Sequence, residues 1–418
     1  MMTHKASPAP AYTQRSLELR AAEYYASIRK PQSDWKSIED LTPQLAEFEH
    51  LTHAKKYDSA ARVLRKIDFN YLDLWGYHAY LAAMREKLLG HITDVGAQAY
   101  NFGSLGRIYH ILGETGQAID LYEQALTIVR RMNNRRWESA WLGNLGHASY
   151  DLGRIQWAQD QLTRAVILAQ EARNHQGEAT WLNYLANVYR ALGELRQAVA
   201  YYEQALNIVG EISDRRRECL IFSDLARAYY SLGQAEQIVS CCEKGLIIAR
   251  EIGYHYGESC CLVGLAKGSL LLGDFYRVQQ CCTESLVLGY PESNYQAALL
   301  WGIGLLHQQD LCARNVFVDA ITHCLVVLDK TEDMFEVRYL LALALVGQAV
   351  CAPYWPDLSQ RTVLLAPALT EYRHALNITA APGVVSNALR DLELIRAAGI
   401  EGLEPVFDLL EGALHEQF

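Results

Sequence analysis

The segments LGRIYHILGETGQAIDLYEQAL (105–126) and LANVYRALGELRQAVAYYEQAL (185–206) share a pattern whose phase runs through the middle of the chain. The dipeptide Leu-Gly stands at 112–113, 152–153, 192–193, 232–233 and 272–273, a constant step of 40 residues. Seven residues before each glycine is a small residue, Gly106, Gly146, Ala186, Ala226 or Ala266, each preceded by leucine. Five residues after each glycine stand Ala118, Ala158, Ala198, Ile238 and Val278, and Glu138, Glu178, Glu218 and Glu258 keep the same register. A fixed period of this size marks supersecondary units stacked in a row.

The residues explain the unit. A small residue beside leucine lets two helices approach closely, and the glycine ends the first helix with a positive-φ turn. Ala118, Tyr122, Ala125, Leu126 and Val129 then lie on one face of a second helix that folds back on the first. Asn134, Asn174 and Asp214 stand where the next helix needs an N-cap, and the glutamates fall in its first turns, where the helix dipole favours an anion. Such a hairpin cannot bury its apolar face alone and must stack on its neighbours.

Composition agrees. The 418 residues include only 10 prolines, with none between Pro43 and Pro291, which argues for stacked helices against a sandwich or barrel. A net charge of −10 makes nucleic acid an improbable partner, because phosphate binding needs a basic surface. No apolar run approaches the ~20 residues of a membrane span, and the first residues lack the apolar core of a signal peptide; a cytoplasmic location is expected. All ten cysteines lie at or after Cys219, three times as adjacent pairs that point to different helix faces. Reduced, mostly buried thiols are expected, with no CxxC spacing to suggest a metal.

The repeated segments resemble the tetratricopeptide repeat family in a long, 40-residue form without the family's usual closing proline. The resemblance implies an all-α fold, an α-α superhelix or solenoid of antiparallel hairpins that binds proteins. The expected organisation is a disordered 1–12, a helical region with a degenerate repeat over 13–98, five regular units over 99–290, and degenerate repeats with a C-terminal cap over 291–418. Within the flanks, 54–67 reads as a second helix with Ala60 in the small position, and 71–90 as one amphipathic helix. Taken together, 19–76, the LYEQAL segments and ITAAPGVVSNALRDLEL (378–394) resemble the C-terminal sensor arm of bacterial STAND-class signalling ATPases. No GxxxxGK[S/T] occurs, so the resemblance extends to sensing and not to the ATPase.

No HExxH, GxSxG or GxGxxG is present, and the histidines show no metal-ligand spacing. No catalytic residue, cofactor or metal is therefore expected, and the chain reads as a non-enzymatic binding protein. The first helix of each unit carries a polar ladder on its exposed face. Arg107, His147, Asn187, Arg227 and Lys267 share one position; His110, Tyr150, Arg190 and Tyr230 lie one turn on; Asn144, Asn183 and Tyr184 lie one turn back. Asparagine can satisfy both backbone groups of an extended peptide, arginine can grip carboxylates, and tyrosine supplies stiff contact area. The expected partner is a protein or peptide, extended and partly acidic, bound by a sensor or adaptor arm in bacterial signalling. Some family members hold a C-terminal dicarboxylate with lysine and asparagine; here Asn144 and Asn187 match the asparagines, whereas Gly103, Asn183 and Val263 stand at the lysine positions. Two other roles fit the sequence: a small-molecule sensor with a pocket near Tyr254, Tyr256, Cys260 and Cys281, or a scaffold that self-associates through 291–418.

Overall fold

The computed structural model describes residues 13–352, 355 and 358–416; the segment 1–12, expected to be disordered, lies outside them. Every regular element among the described residues is helical. The chain divides into two compact units, Met1–Asn134 and Arg135–Phe418.

The first unit contains α1 (Gln14–Ser27), α2 (Thr42–His53), α3 (Tyr57–Ile67), α4 (His78–Glu86), α5 (Val95–Ile111) and α6 (Thr115–Arg131). Its core is built on Leu41, Phe48, Leu64, Ile67, Leu72, Leu81 and Met84, all at most 1% exposed. Ala60 is fully buried on α3, as its small-residue position requires. The stretch 71–90, expected as one helix, is instead broken. A π-type turn at Asp68–Asp73 and Gly76 at φ +82° leave only α4 helical. The break is held by buried charge: Arg85 pairs with Asp68 and donates to Asn101 Oδ1 at 3.0 Å. Between α5 and α6 the expected turn forms at Gly113, φ +88°. A Cβ on Gly106 would lie 3.0 Å from the Ala118 carbonyl oxygen, so the helix contact needs a residue this small.

The second unit begins with four hairpins: α7 (Arg135–Asp151) with α8 (Ile155–Glu171), α9 (His175–Ala191) with α10 (Leu195–Glu211), α11 (Arg215–Leu232) with α12 (Ala235–Glu251), and α13 (His255–Leu271) with α14 (Phe275–Leu288). Their inner turns place Gly153, Gly193, Gly233 and Gly273 at φ between +70° and +82°. Between hairpins the chain turns again through Arg173 (φ +50°), Ser213 (φ +56°) and Gly253 (φ +65°). Side chains tolerate this left-handed region poorly, and its recurrence at non-glycine residues had no signal in the sequence. Asn174 and Asp214 cap their helices, accepting from the Gly177 and Arg217 backbone amides at 3.3 and 3.2 Å. The repeated glutamates tie each helix to its surroundings: Glu178 accepts from Gln170, Glu258 from Arg250, Glu138 from Arg164 and Glu218 from Arg215.

The stack continues with α15 (Pro291–His307), α16 (Ala313–Leu328), α17 (Phe335–Val350) and α18 (Leu358–Ile378). Gln309, at φ +56°, turns the chain where the repeat's glycine is missing. α17 is buried along most of its length, and no described helix is long and apolar enough to cross a membrane. First helices pack on first helices throughout, α7 on α9, α9 on α11, α11 on α13, α13 on α15 and α15 on α17, so they form one wall of the unit. Two helices remain, α19 (Pro382–Arg396) and α20 (Glu404–His415). Rather than extending the stack, α19 packs against α9, α11, α15 and α17, and so lies on the wall of first helices.

Candidate functional site

Ladder side chains of α7, α9 and α11, with Tyr150 and Arg190 in one register and Arg227 one turn earlier in its helix, meet carboxylates from the C-terminal helices. Glu336, in the first turn of α17, accepts from the Tyr150 hydroxyl at 2.8 Å, from Arg190 Nη2 at 3.0 Å and from Arg227 Nη2 at 2.6 and 2.8 Å. Arg190 Nη2 also donates to the Tyr150 hydroxyl at 3.0 Å, so three successive repeats share one anion. Burial alone would raise the Glu336 pKa, but the adjacent Arg227 and Arg190 and the Tyr150 hydroxyl outweigh it. They hold the carboxyl well below the usual range, and it stays ionised.

The next step of the ladder meets α19. The Tyr230 hydroxyl donates to Asp391, and Arg390 donates to the Ser231 carbonyl at 3.0 Å, near the C-terminal end of α11 where the dipole favours a cation. Lys267 Nζ sits 4.7 Å from the Tyr230 ring centroid. Here burial dominates. It pushes the Asp391 pKa up and the Lys267 pKa down, both toward the neutral form. Gly383 at the start of α19 lies against the turn that ends α9: a Cβ there would come 2.1 Å from the Arg190 carbonyl oxygen.

The polar ladder expected to face solvent is therefore largely covered by the chain itself. Arg190, Tyr150 and Tyr230 are buried, and Arg227 is half-buried. The carboxylate that arginine chemistry called for comes from Glu336, and Asp391 meets the Tyr230 hydroxyl. Sequence reasoning missed both, since nothing in a linear pattern links Glu336 to Arg190 across 146 residues. Arg107 belongs to the first unit, where it pairs with Asp73 at 2.9 Å and sits over the Phe69 ring; His110, half-buried, lies in the same helix.

The rest of the ladder lies nearer the middle of the first helices. His147 stacks on Tyr184 with ring centroids 4.0 Å apart and planes 11° apart, and Tyr184 is 6.0 Å from Trp181. Asn187 is buried and accepts from Tyr202 at 2.8 Å, which gives it a role inside its hairpin. Asn183 is 7% exposed; its Nδ2 donates to Asp224 at 2.8 Å, while its Oδ1 has no hydrogen-bond partner among the described residues. Asn144 is half-buried on α7, in the register of Tyr184. Of the residues suggested for a small-molecule pocket, Tyr254, Tyr256 and Cys260 lie at or near the start of α13, whereas Cys281 is buried on the second helix α14. Cys219 and Cys261 have their sulfurs 3.9 Å apart, and all ten cysteines are free thiols.

Tetratricopeptide repeat models match residues 102–136 and 137–210. No curated protein matches the chain. Among solved structures, a STAND protein with a tetratricopeptide repeat sensor from Pyrococcus horikoshii is similar with a TM-score of 0.55 and 15% identity, over 86% of this chain and 53% of that one. This chain thus spans about half the length of that protein. A Rap protein complexed with competence and sporulation factor is similar with a TM-score of 0.53 and 14% identity, over 84% of this chain and 99% of that one. A Rap conjugation gene regulator in complex with a peptide gives a TM-score of 0.55 and 12% identity, over 81% and 96%. Residues 102–210 thus match the tetratricopeptide repeat, and the hairpins that flank them share the fold of these solved structures.

Proposed function

We propose that the second unit is a non-enzymatic peptide-binding module, a sensor or adaptor arm in bacterial, cytoplasmic signalling. Asn183 carries the reading. A buried carboxamide oxygen without a donor costs about 1–3 kcal/mol; Oδ1 is enclosed here, so an amide N–H of an extended peptide would satisfy it once the side chain turns toward the peptide. Asn144, in the register of Tyr184 one repeat earlier, offers a second, half-buried carboxamide, and the stacked His147 and Tyr184 give a flat, stiff surface beside it. The Rap conjugation gene regulator, solved in complex with a peptide, supports a peptide as ligand. Because Glu336 already occupies Arg190 and Arg227, the peptide is read by its backbone more than by acidic side chains.

The test is selection of short random peptides on the purified chain, followed by fluorescence anisotropy with the enriched sequences. Asn183→Leu and Asn144→Leu are each expected to weaken binding about tenfold, the equivalent of one lost hydrogen bond to a buried group. Affinities within twofold of the parent in both variants, or no enrichment by the parent, would overturn the assignment.

A further inference from the structure

In the first unit, two histidines on α2 converge on a carboxylate of α1. His50 Nδ1 lies 2.7 Å from Glu18 Oε2, and His53 Nδ1 lies 3.7 Å from the same oxygen. All three candidate ligand atoms fall within 4.8 Å of one another. The spacing within α2 is i, i+3, which puts both imidazoles on one face. Packing of α1 on α2 supplies the glutamate. An ordinary surface ion pair needs one histidine and one carboxylate; here two rings turn the same nitrogen toward one oxygen.

We propose that Glu18, His50 and His53 form a divalent transition-metal site, best matched to zinc, that pins α1 to α2. A tetrahedral zinc ion with bonds of about 2.0–2.1 Å separates its ligand atoms by about 3.3 Å. The observed 2.7 and 3.7 Å bracket that edge, and the third edge, between the two imidazoles, is within 4.8 Å. Two imidazole nitrogens disfavour magnesium and calcium, which take oxygen ligands. The Tyr25 ring stacks on His50 with centroids 5.4 Å apart and planes 15° apart, packing against one face of the imidazole. The Glu18 and His50 side chains are 18% and 31% exposed while His53 is 60% exposed, so the cluster opens to solvent on one side. That opening leaves room for water as the fourth ligand.

The chelator-treated full chain should be titrated with Zn²⁺ against a competing chelator, and with Co²⁺ followed by absorption. The expected result is one equivalent bound, with cobalt d–d bands and no thiolate-to-metal charge transfer, which separates this site from the ten cysteines. Because His53 is largely exposed, His53→Ala should fold normally and bind at least tenfold more weakly; Glu18→Gln should do the same. Binding unchanged in both variants, a thiolate charge-transfer band, or the absence of a tight equivalent would each refute the site.

Discussion

Glu336→Ala is the sharpest perturbation of the second unit. The carboxylate accepts from three groups on three repeats, Tyr150, Arg190 and Arg227. Removing one partner of a buried ion pair costs about 3–5 kcal/mol, because the other charge is left without compensation. Arg190, with its side chain 7% exposed, meets that condition; Arg227 at 35% can regain water, and the carboxylate itself is 28% exposed. The expected loss is thus about 2–3 kcal/mol at neutral pH. For a unit of this size each kcal/mol moves Tm by about 2 °C, so thermal denaturation followed by circular dichroism should show a fall of about 4–6 °C. The sign with pH is fixed. The folded carboxyl is held below its unfolded value, so its contribution is complete above the ordinary glutamate range and is lost as pH falls toward the depressed value. The gap between parent and variant should narrow below about pH 4. A double-mutant cycle with Arg190→Met should show coupling of at least about 1 kcal/mol. A Tm within about 1 °C of the parent at pH 7, or zero coupling, refutes the claim that this anion joins the repeats to α17.

Gly383→Ala would press a Cβ against backbone on two sides, the Arg190 carbonyl oxygen at 2.1 Å and the Gly193 nitrogen at 2.6 Å, and should cost about 2–3 kcal/mol. Gly210→Ala, on α10 with nothing near its Cβ, should stabilise by about 0.5–1 kcal/mol; equal melting temperatures for the two variants would contradict the packing of α19. Burial raises the Asp391 pKa, so the folded state holds that proton more tightly than the unfolded chain. Stability should then decline as pH rises from the ordinary aspartate range toward the raised value. Asp391→Asn should remove that decline, and parallel Tm-against-pH curves for parent and variant would show that Asp391 is not buried as described.

The repeat was legible because it rests on local rules. A residue that must turn at positive φ, a small residue at a helix seam and a capping side chain each leave a mark at a fixed spacing. Gly113, Gly153, Gly193, Gly233 and Gly273 accordingly turn where the pattern demands. The broken helix around Gly76 was not legible, because a buried Asp68–Arg85 pair overrides the local apolar pattern. For the ladder, residue chemistry pointed to a bound carboxylate, but not to which carboxylate.

The sequence by itself determined the hairpin, its period and the polarity of the inner wall, all consequences of contacts within or between adjacent units. Only the tertiary structure decided what that wall touches. Glu336 and Asp391 reach the ladder from 109 to 186 residues away, and Glu18 reaches His50 across 32. Such pairings are set by where the last helices pack against the stack and where α1 packs on α2, and no spacing rule along the chain encodes them.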